Sequence, residues 1–380
     1  MSRILAAAAA LCLAGGLLHA QTPAPATHSG AFITRLGNDT LTVERFSFSG
    51  GAYNVEQVLH TPVAALMHTH VGMTPAGGIG DVIHMHHRIK EPSAPLFAST
   101  RLTFGASDSA RIVEKRGDSS TTRSIAASAT MVPSLPDSWL AYELAVQRLR
   151  SARADTATMH FLEPDGSRTR VIVRRVGTDS VTFEVPFTVY RARVDAEGRI
   201  SNLYQPNGLR VERVPAIDIN AIAARWDSLE SQGKGMGPLS PRDSVNVSVG
   251  GATVSVGYGR PSMRGRAIWG ALVPWNRVWR TGANDPTVLR TNRDITIGGT
   301  ALPAGTYTLT TIPTADSAKL IISKRTGDQA TEVARVDMAT SQLTASVEKF
   351  TIALEPGQGN RATLALSWDR RRMTAPIVVR

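Results

Sequence analysis

The sequence predicts a mostly β protein in two parts: an N-terminal antiparallel sheet carrying one inserted helix, then a C-terminal β-sandwich. Three observations point there. Short runs alternating apolar and polar residues recur along the chain, as strands with one face in a core require. Gly, Asn and Asp break these runs at hairpin spacing. Two stretches, near 134–152 and 217–229, carry a helical spacing instead. With 380 residues, 42% of them hydrophobic and 19% charged, the chain can bury two cores and is too apolar for bulk disorder.

The first twenty residues read as a signal peptide. Arg3 supplies the positive start, and Ile4–Leu18 is an apolar run too short for a comfortable membrane span. Leu18-His19-Ala20 offers small-residue cleavage, so the mature chain starts near Gln21. The sole cysteine, Cys12, lies inside that run, and Leu11 before it does not fit a lipoprotein site. Cleavage therefore leaves no cysteine, which excludes disulfides, cysteine nucleophiles and thiolate metal sites. No later apolar run approaches a membrane helix. The expected location is the periplasm or the exterior.

A Pro/Ala/Ser linker over 21–30 leads into the first part, 31–230. Strands are expected at Ala31–Leu36, Thr40–Phe48, Ala52–Leu59, Val63–Val71, Val82–Ile89, Ser99–Phe104 and Ala110–Lys115. Ser134 and Asp137 have capping-box spacing and Pro136 suits a first turn, predicting a helix over 134–152. Strands resume at Ala157–Phe161, Arg168–Arg175, Ser180–Val189 and Ala192–Val194, and a short helix is expected at Ile217–Leu229. Gly177-Thr178-Asp179 with its following strand echoes Gly37-Asn38-Asp39 with its own. Two similar turns, or two related half-sheets, would each explain the echo.

The Gly/Pro/Ser segment 231–241 marks the boundary, and 242–380 forms the second part. Its strands are expected at Val245–Val249, Ala252–Tyr258, Thr287–Thr291, Asp294–Ile297, Thr306–Thr311, Lys319–Ser323, Glu332–Val336, Ser346–Leu354, Ala362–Trp368 and Ala375–Val379. Between them runs Tyr258–Thr291, with three of the six tryptophans and six arginines, Arg260, Arg264, Arg266, Arg277 and Arg280 among them. Distinctive motifs fill this part: Tyr258-Gly259-Arg260-Pro261, Gly265-Arg266, Leu272-Val273-Pro274, Val278-Trp279-Arg280-Thr281-Gly282-Ala283-Asn284, Ile297-Gly298-Gly299, Leu302-Pro303-Ala304-Gly305-Thr306-Tyr307 and Trp368-Asp369. On these motifs the chain from about Ser240 to its end resembles the bacterial domain-of-unknown-function family DUF2911. The resemblance implies an exported β-sandwich and brings no established activity, catalytic residue or cofactor. Asp285 departs from the glutamate that the family pattern places there. The first part resembles no family that can be named.

Two clusters are candidate sites. Arg266, Trp279, Arg280 and Asn284 form a ligand-binding hypothesis: indole faces and guanidinium planes suit sugar rings and acidic groups. Gly282 permits a turn that presents Arg280 and Asn284. Alternatively, the tryptophans plug the sandwich core and the arginines cap carbonyls or face solvent. The other cluster is His68, His70, His84 and His86. A hairpin centred on Gly77 would oppose His70 to His84 and His68 to His86, giving a square of imidazoles for a divalent transition metal, zinc or copper. One slipped residue would send one pair to the opposite face.

The net charge of +11 lies mostly in 240–380, where 18 Lys and Arg face 10 Asp and Glu. Such a surface suits acidic partners, an envelope glycan, lipid or acidic polymer, more than it specifies nucleic acid. G-x-S-x-G, H-E-x-x-H, P-loop and Rossmann patterns are all missing. The sequence therefore reads as an exported, non-enzymatic binding or envelope-associated protein. A curved sheet with a helix across it could also hold an apolar ligand. The alternative from another class is a metal-dependent enzyme or metal-binding protein using the histidine hairpin.

Overall fold

The computed structural model describes residues 28–87, 89, 98–105, 108–186, 188–327 and 329–380; the signal-peptide and 21–27 linker readings lie outside them. Eight strands open the chain: β1 Ser29–Leu36, β2 Asp39–Ser49, β3 Ala52–Leu59, β4 Ala65–Met73, β5 Ile79–His87, β6 Ala98–Phe104, β7 Ser109–Arg116 and β8 Ser119–Ala126. A two-residue strand β9 Val132–Pro133 and helix α1 Leu140–Ser151 follow. Then come β10 Thr156–Leu162, β11 Arg168–Arg175, β12 Ser180–Val185, β13 Thr188–Val194, β14 Ile200–Tyr204, β15 Leu209–Val214 and helix α2 Ile219–Ser231. All fifteen strands form one sheet, β8 through β1, then β15 back through β9. Every pairing is antiparallel except β9 with β10, and β1–β15 joins the two meanders.

The sheet curls around α1. Leu140, Leu144, Ala145, Val146 and Leu149 are buried in one core with Phe32, Val55, Val82, Ile112, Phe161, Phe183 and Leu203. The seam is closed by side chains: Arg168 donates to the Ala126 carbonyl at 3.2 Å, and Arg123 donates to the Asp165 carbonyl. On the convex face α2 buries Ile219, Ala223 and Trp226 against Val43, Val58 and Leu66. The β2 run Leu41–Glu44 is thus covered on both faces, which is why it is continuously buried instead of alternating.

The helix begins later than its sequence signals suggest. Asp137 has φ 56°, and Ser134 donates to Glu163 instead of capping. Trp139 is the N-cap, without a side-chain cap of its own. Its backbone N–H donates to the Glu44 carboxylate at 2.8 Å and the Leu140 N–H to the Ser138 hydroxyl at 3.3 Å, so a strand and a neighbouring serine together satisfy the first turn.

The second part holds β16 Arg242–Val249, β17 Ala252–Gly259, β18 Thr287–Thr291, β19 Ile295–Ile297, β20 Thr300–Leu302, β21 Gly305–Pro313, β22 Ala318–Thr326, β23 Gln329–Pro356 and β24 Arg361–Val379. Strand order is β16-β17-β18-β21-β22-β23-β24-β19-β20. β23 pairs first with β22, then with β24, shifting register between Gln342 and Val347 and again before Thr351. The chain expected to form separate strands over 332–354 and 362–379 is therefore two long bent strands. They turn the sheet back on itself, so that Val254, Leu289 and Leu320 pack against Leu364, Leu366 and Ile377 as a sandwich.

Candidate functional site

The loop between β17 and β18 is built from turns that its sequence permits. Gly259 lies so close to Ala283 that a Cβ would stand 2.0 Å from the Ala283 carbonyl oxygen. Trp279 is bridged to Thr311 on β21 by two backbone hydrogen bonds, 2.7 and 2.9 Å. Two residues later Thr281 adopts φ 54°, unusual for a β-branched side chain. It is held there while fully buried. Its hydroxyl donates to the Thr311 hydroxyl at 3.1 Å, and its carbonyl accepts from the Thr287 hydroxyl at 2.7 Å. Strain held this way by its surroundings marks a candidate site. Asn284, at φ 59°, then donates to the Ser240 carbonyl at 3.4 Å.

Arg266 sits on a second turn. Arg264 (φ 53°) and Gly265 (φ 74°) bring its guanidinium onto three carbonyls: Met263 at 2.9 Å, Ser262 at 2.6 Å and Asn207 at 3.0 Å. Burial lowers its pKa, with the Arg264 charge adding to the shift. Asn207 belongs to the β14–β15 turn, so this arginine ties the sandwich to the N-terminal sheet.

Arg266, Trp279, Arg280 and Asn284 line one cleft of about 780 Å³. Leu36, Thr61 and Asn207 of the N-terminal sheet line its other side, and the 231–241 stretch contributes Pro238, Leu239 and Ser240. Among the described lining residues there is no acidic side chain. Arg280 is exposed and donates to the Asn284 carbonyl only at the 3.5 Å limit. Its cationic fork is presented to the cleft, whereas Arg266 has its donors committed to carbonyls. Trp279 serves both alternatives read from sequence. It stacks on Trp368 (centroids 5.8 Å apart, planes at 19°) and meets Phe350 edge-on at 5.0 Å, yet is only half-buried. Trp368, Leu272 and the 238–240 wall were not foreseen; nothing local in sequence marks a linker as a cleft wall.

Residues 240–377 match the family model DUF2911, described as a protein of unknown function. No curated protein matches the chain.

The histidine square does not form. Thr69 pairs with His84 and His68 with Met85, so the hairpin is slipped by one residue from the register that opposes the histidines. The ladder also shifts register near the turn, between Gly72 and Met73. His84 and His86 therefore share the concave face, with rings 4.8 Å apart, while His68 and His70 lie on the convex face, where His68 meets His87 at 4.4 Å. His84 is buried against the Thr69 hydroxyl at 2.7 Å, and burial pulls its pKa down to about 4. Among the described residues no group of three or more His, Cys, Asp or Glu is placed to hold a metal. The apolar-ligand alternative meets a similar obstacle, because α1 occupies the concave face that such a ligand would need. No helix among the described residues is long and apolar enough to cross a membrane.

Proposed function

We propose that this is an exported, non-enzymatic binding protein whose ligand site is the cleft between the N-terminal sheet and the DUF2911 sandwich. The observation carrying this reading is the convergence of Arg266, Trp279, Arg280 and Asn284 on one cleft. Trp279 offers an apolar ring face, Arg280 an uncommitted cation, and Asn284 and the loop backbone offer polar contacts. A ligand matching all three pairs a ring with an acidic group. Acidic envelope saccharides have that chemistry: C–H faces for the indole and a carboxylate for the guanidinium.

The test is calorimetric titration with oligogalacturonate and with its methyl-ester form, which removes the charge. Binding of the acid form, weakened about tenfold or more in Arg280→Ala, supports the reading, since a charge-assisted contact contributes roughly 1.5–3 kcal/mol. Equal affinity of the two forms, or no change in Arg280→Ala, would overturn it. Export rests on the Arg3, Ile4–Leu18 and Ala20 pattern. Fractionation and N-terminal sequencing of the expressed protein should give an exported chain starting near Gln21; an intact Met1 in the cytoplasm would refute export.

A further inference from the structure

We propose that the sandwich carries a second binding cleft, separate from the first, for an uncharged oligosaccharide. This cleft, of about 560 Å³, shares no lining residue with the one above. It lies where the β23–β24 ladder breaks register after Gln342, and the turn between β21 and β22 forms one wall. The residues that matter are Trp269, Trp275, Asp316, Gln342, Asp369 and Arg371.

The aromatic platform is fixed. Trp269 and Trp275 lie nearly parallel, planes at 14° and centroids 5.9 Å apart. Arg371 is centred 5.6 Å and 5.2 Å from the two rings. Its terminal nitrogens donate to the Ala315 and Ser317 carbonyls at 2.7 and 2.9 Å, so it acts as a locked wall. One carboxylate is fixed as well. Asp369 sits at φ 51° and its carboxylate accepts from the Ser346 hydroxyl at 2.9 Å. Asp316 sits in a turn whose carbonyl accepts from the Thr340 hydroxyl at 2.6 Å.

The charge pattern selects the ligand. Two carboxylates, Asp316 and Asp369, and two arginines, Arg370 and Arg371, line it together, unlike the acid-free first cleft. An anion would approach the carboxylates, and an apolar ligand would leave them desolvated. A sugar ring satisfies every group. Its C–H face packs on indole, its hydroxyls donate to the two carboxylates, and its ring and hydroxyl oxygens accept from the Gln342 amide and Arg370.

The experiment is saturation-transfer NMR of the intact protein with cellohexaose, xylohexaose and chitohexaose, each tested separately. At least one should bind. That binding should weaken about tenfold in Trp275→Ala and in Gln342→Ala, and remain unchanged in Arg280→Ala. Gln342 is exposed, so its variant keeps the test valid even if loss of Trp275 disturbs packing. Absence of binding for all three sugars would overturn the proposal. So would binding that is lost in Arg280→Ala and kept in Gln342→Ala, because the sugar would then occupy the first cleft. Failure of oligogalacturonate to bind leaves this inference standing, since the two clefts have separate readouts.

Discussion

Two buried side chains on the concave face of the N-terminal sheet titrate in opposite senses. Glu44 is 1% exposed, and burial pushes its carboxyl up to about 7, with the Ser138 and Trp139 hydrogen bonds only partly offsetting it. One carboxyl oxygen of Glu44 is buried without a hydrogen-bond partner among the described residues, as is the amide oxygen of the facing Gln57. His84, 4% exposed, is pulled down to about 4 by burial, with His86 adding to it. For Glu44 the folded state holds the proton more tightly than the unfolded state, whose carboxyl titrates near 4.5. Its contribution is complete below that pH and lost as pH rises through 7, roughly 3 kcal/mol in all. For His84 the folded pKa is depressed, so its contribution is present above about 6.5 and lost as pH falls through 4, by a similar amount. Between about 4.5 and 6.5 the two slopes cancel. In urea denaturation Glu44→Gln should therefore lose stability relative to the wild type as pH falls from about 6.5 to 4.5. A constant difference across that window would show that Glu44 is not the buried titrating group. Little of this was legible in sequence. Leu41-Thr42-Val43-Glu44 buries both faces, one under α1 and one under α2, so alternation does not reveal which way a glutamate points.

At the scale of elements, the hairpin β4–β5 shows what a pattern can and cannot specify. Period-two spacing correctly placed His68 with His70 on one face, and His84 with His86 on one face. The register between the strands was announced by no local residue pattern. In the observed register His84→Ala removes a buried hydrogen-bond partner from Thr69 and opens a void. It should cost about 1–3 kcal/mol in chemical denaturation. His70→Ala removes a contact to Asn54 on the outer, solvent-facing side and should cost less than about 0.5 kcal/mol. Equal losses would mean that the imidazoles share one environment, as the square required. Strand β8 shows another limit. SSTTRSIA carries almost no apolar alternation because it is an exposed edge, so it gave no strand signal. The sandwich strands were legible because each has one dry face. The bends in β23 and β24 were not, since a bulge needs no particular residue type.

At the scale of the whole molecule, the first cleft is lined by both the sheet and the sandwich, and the contact between them joins backbone groups with arginine side chains. The Asn38 N–H donates to the Arg264 carbonyl at 2.8 Å, Arg264 pairs with Asp39, and Arg266 reaches the Asn207 carbonyl. A Cβ on Gly37 would stand 1.9 Å from the Arg264 carbonyl oxygen, and one on Gly208 2.6 Å from the Arg266 side chain. The motif echo noticed in the sequence supplies the control. Gly37 and Gly177 begin matching Gly-x-Asp turns with positive φ, 61° and 78°, but around Gly177 a Cβ would meet nothing within 4 Å. Alanine at either position bears the same left-handed strain, about 1–2 kcal/mol. Only at Gly37 does it also collide with the sandwich. Calorimetric unfolding of the wild type and of Gly177→Ala should give one transition, lowered slightly in the variant. Gly37→Ala should separate into two, one for the sheet and one for the sandwich, and should lose acidic-ligand binding at the first cleft while keeping neutral-sugar binding at the second. If Gly37→Ala instead tracks Gly177→Ala in both measurements, the two parts do not stabilise each other through this contact. The first cleft would then have to be a property of the sandwich alone.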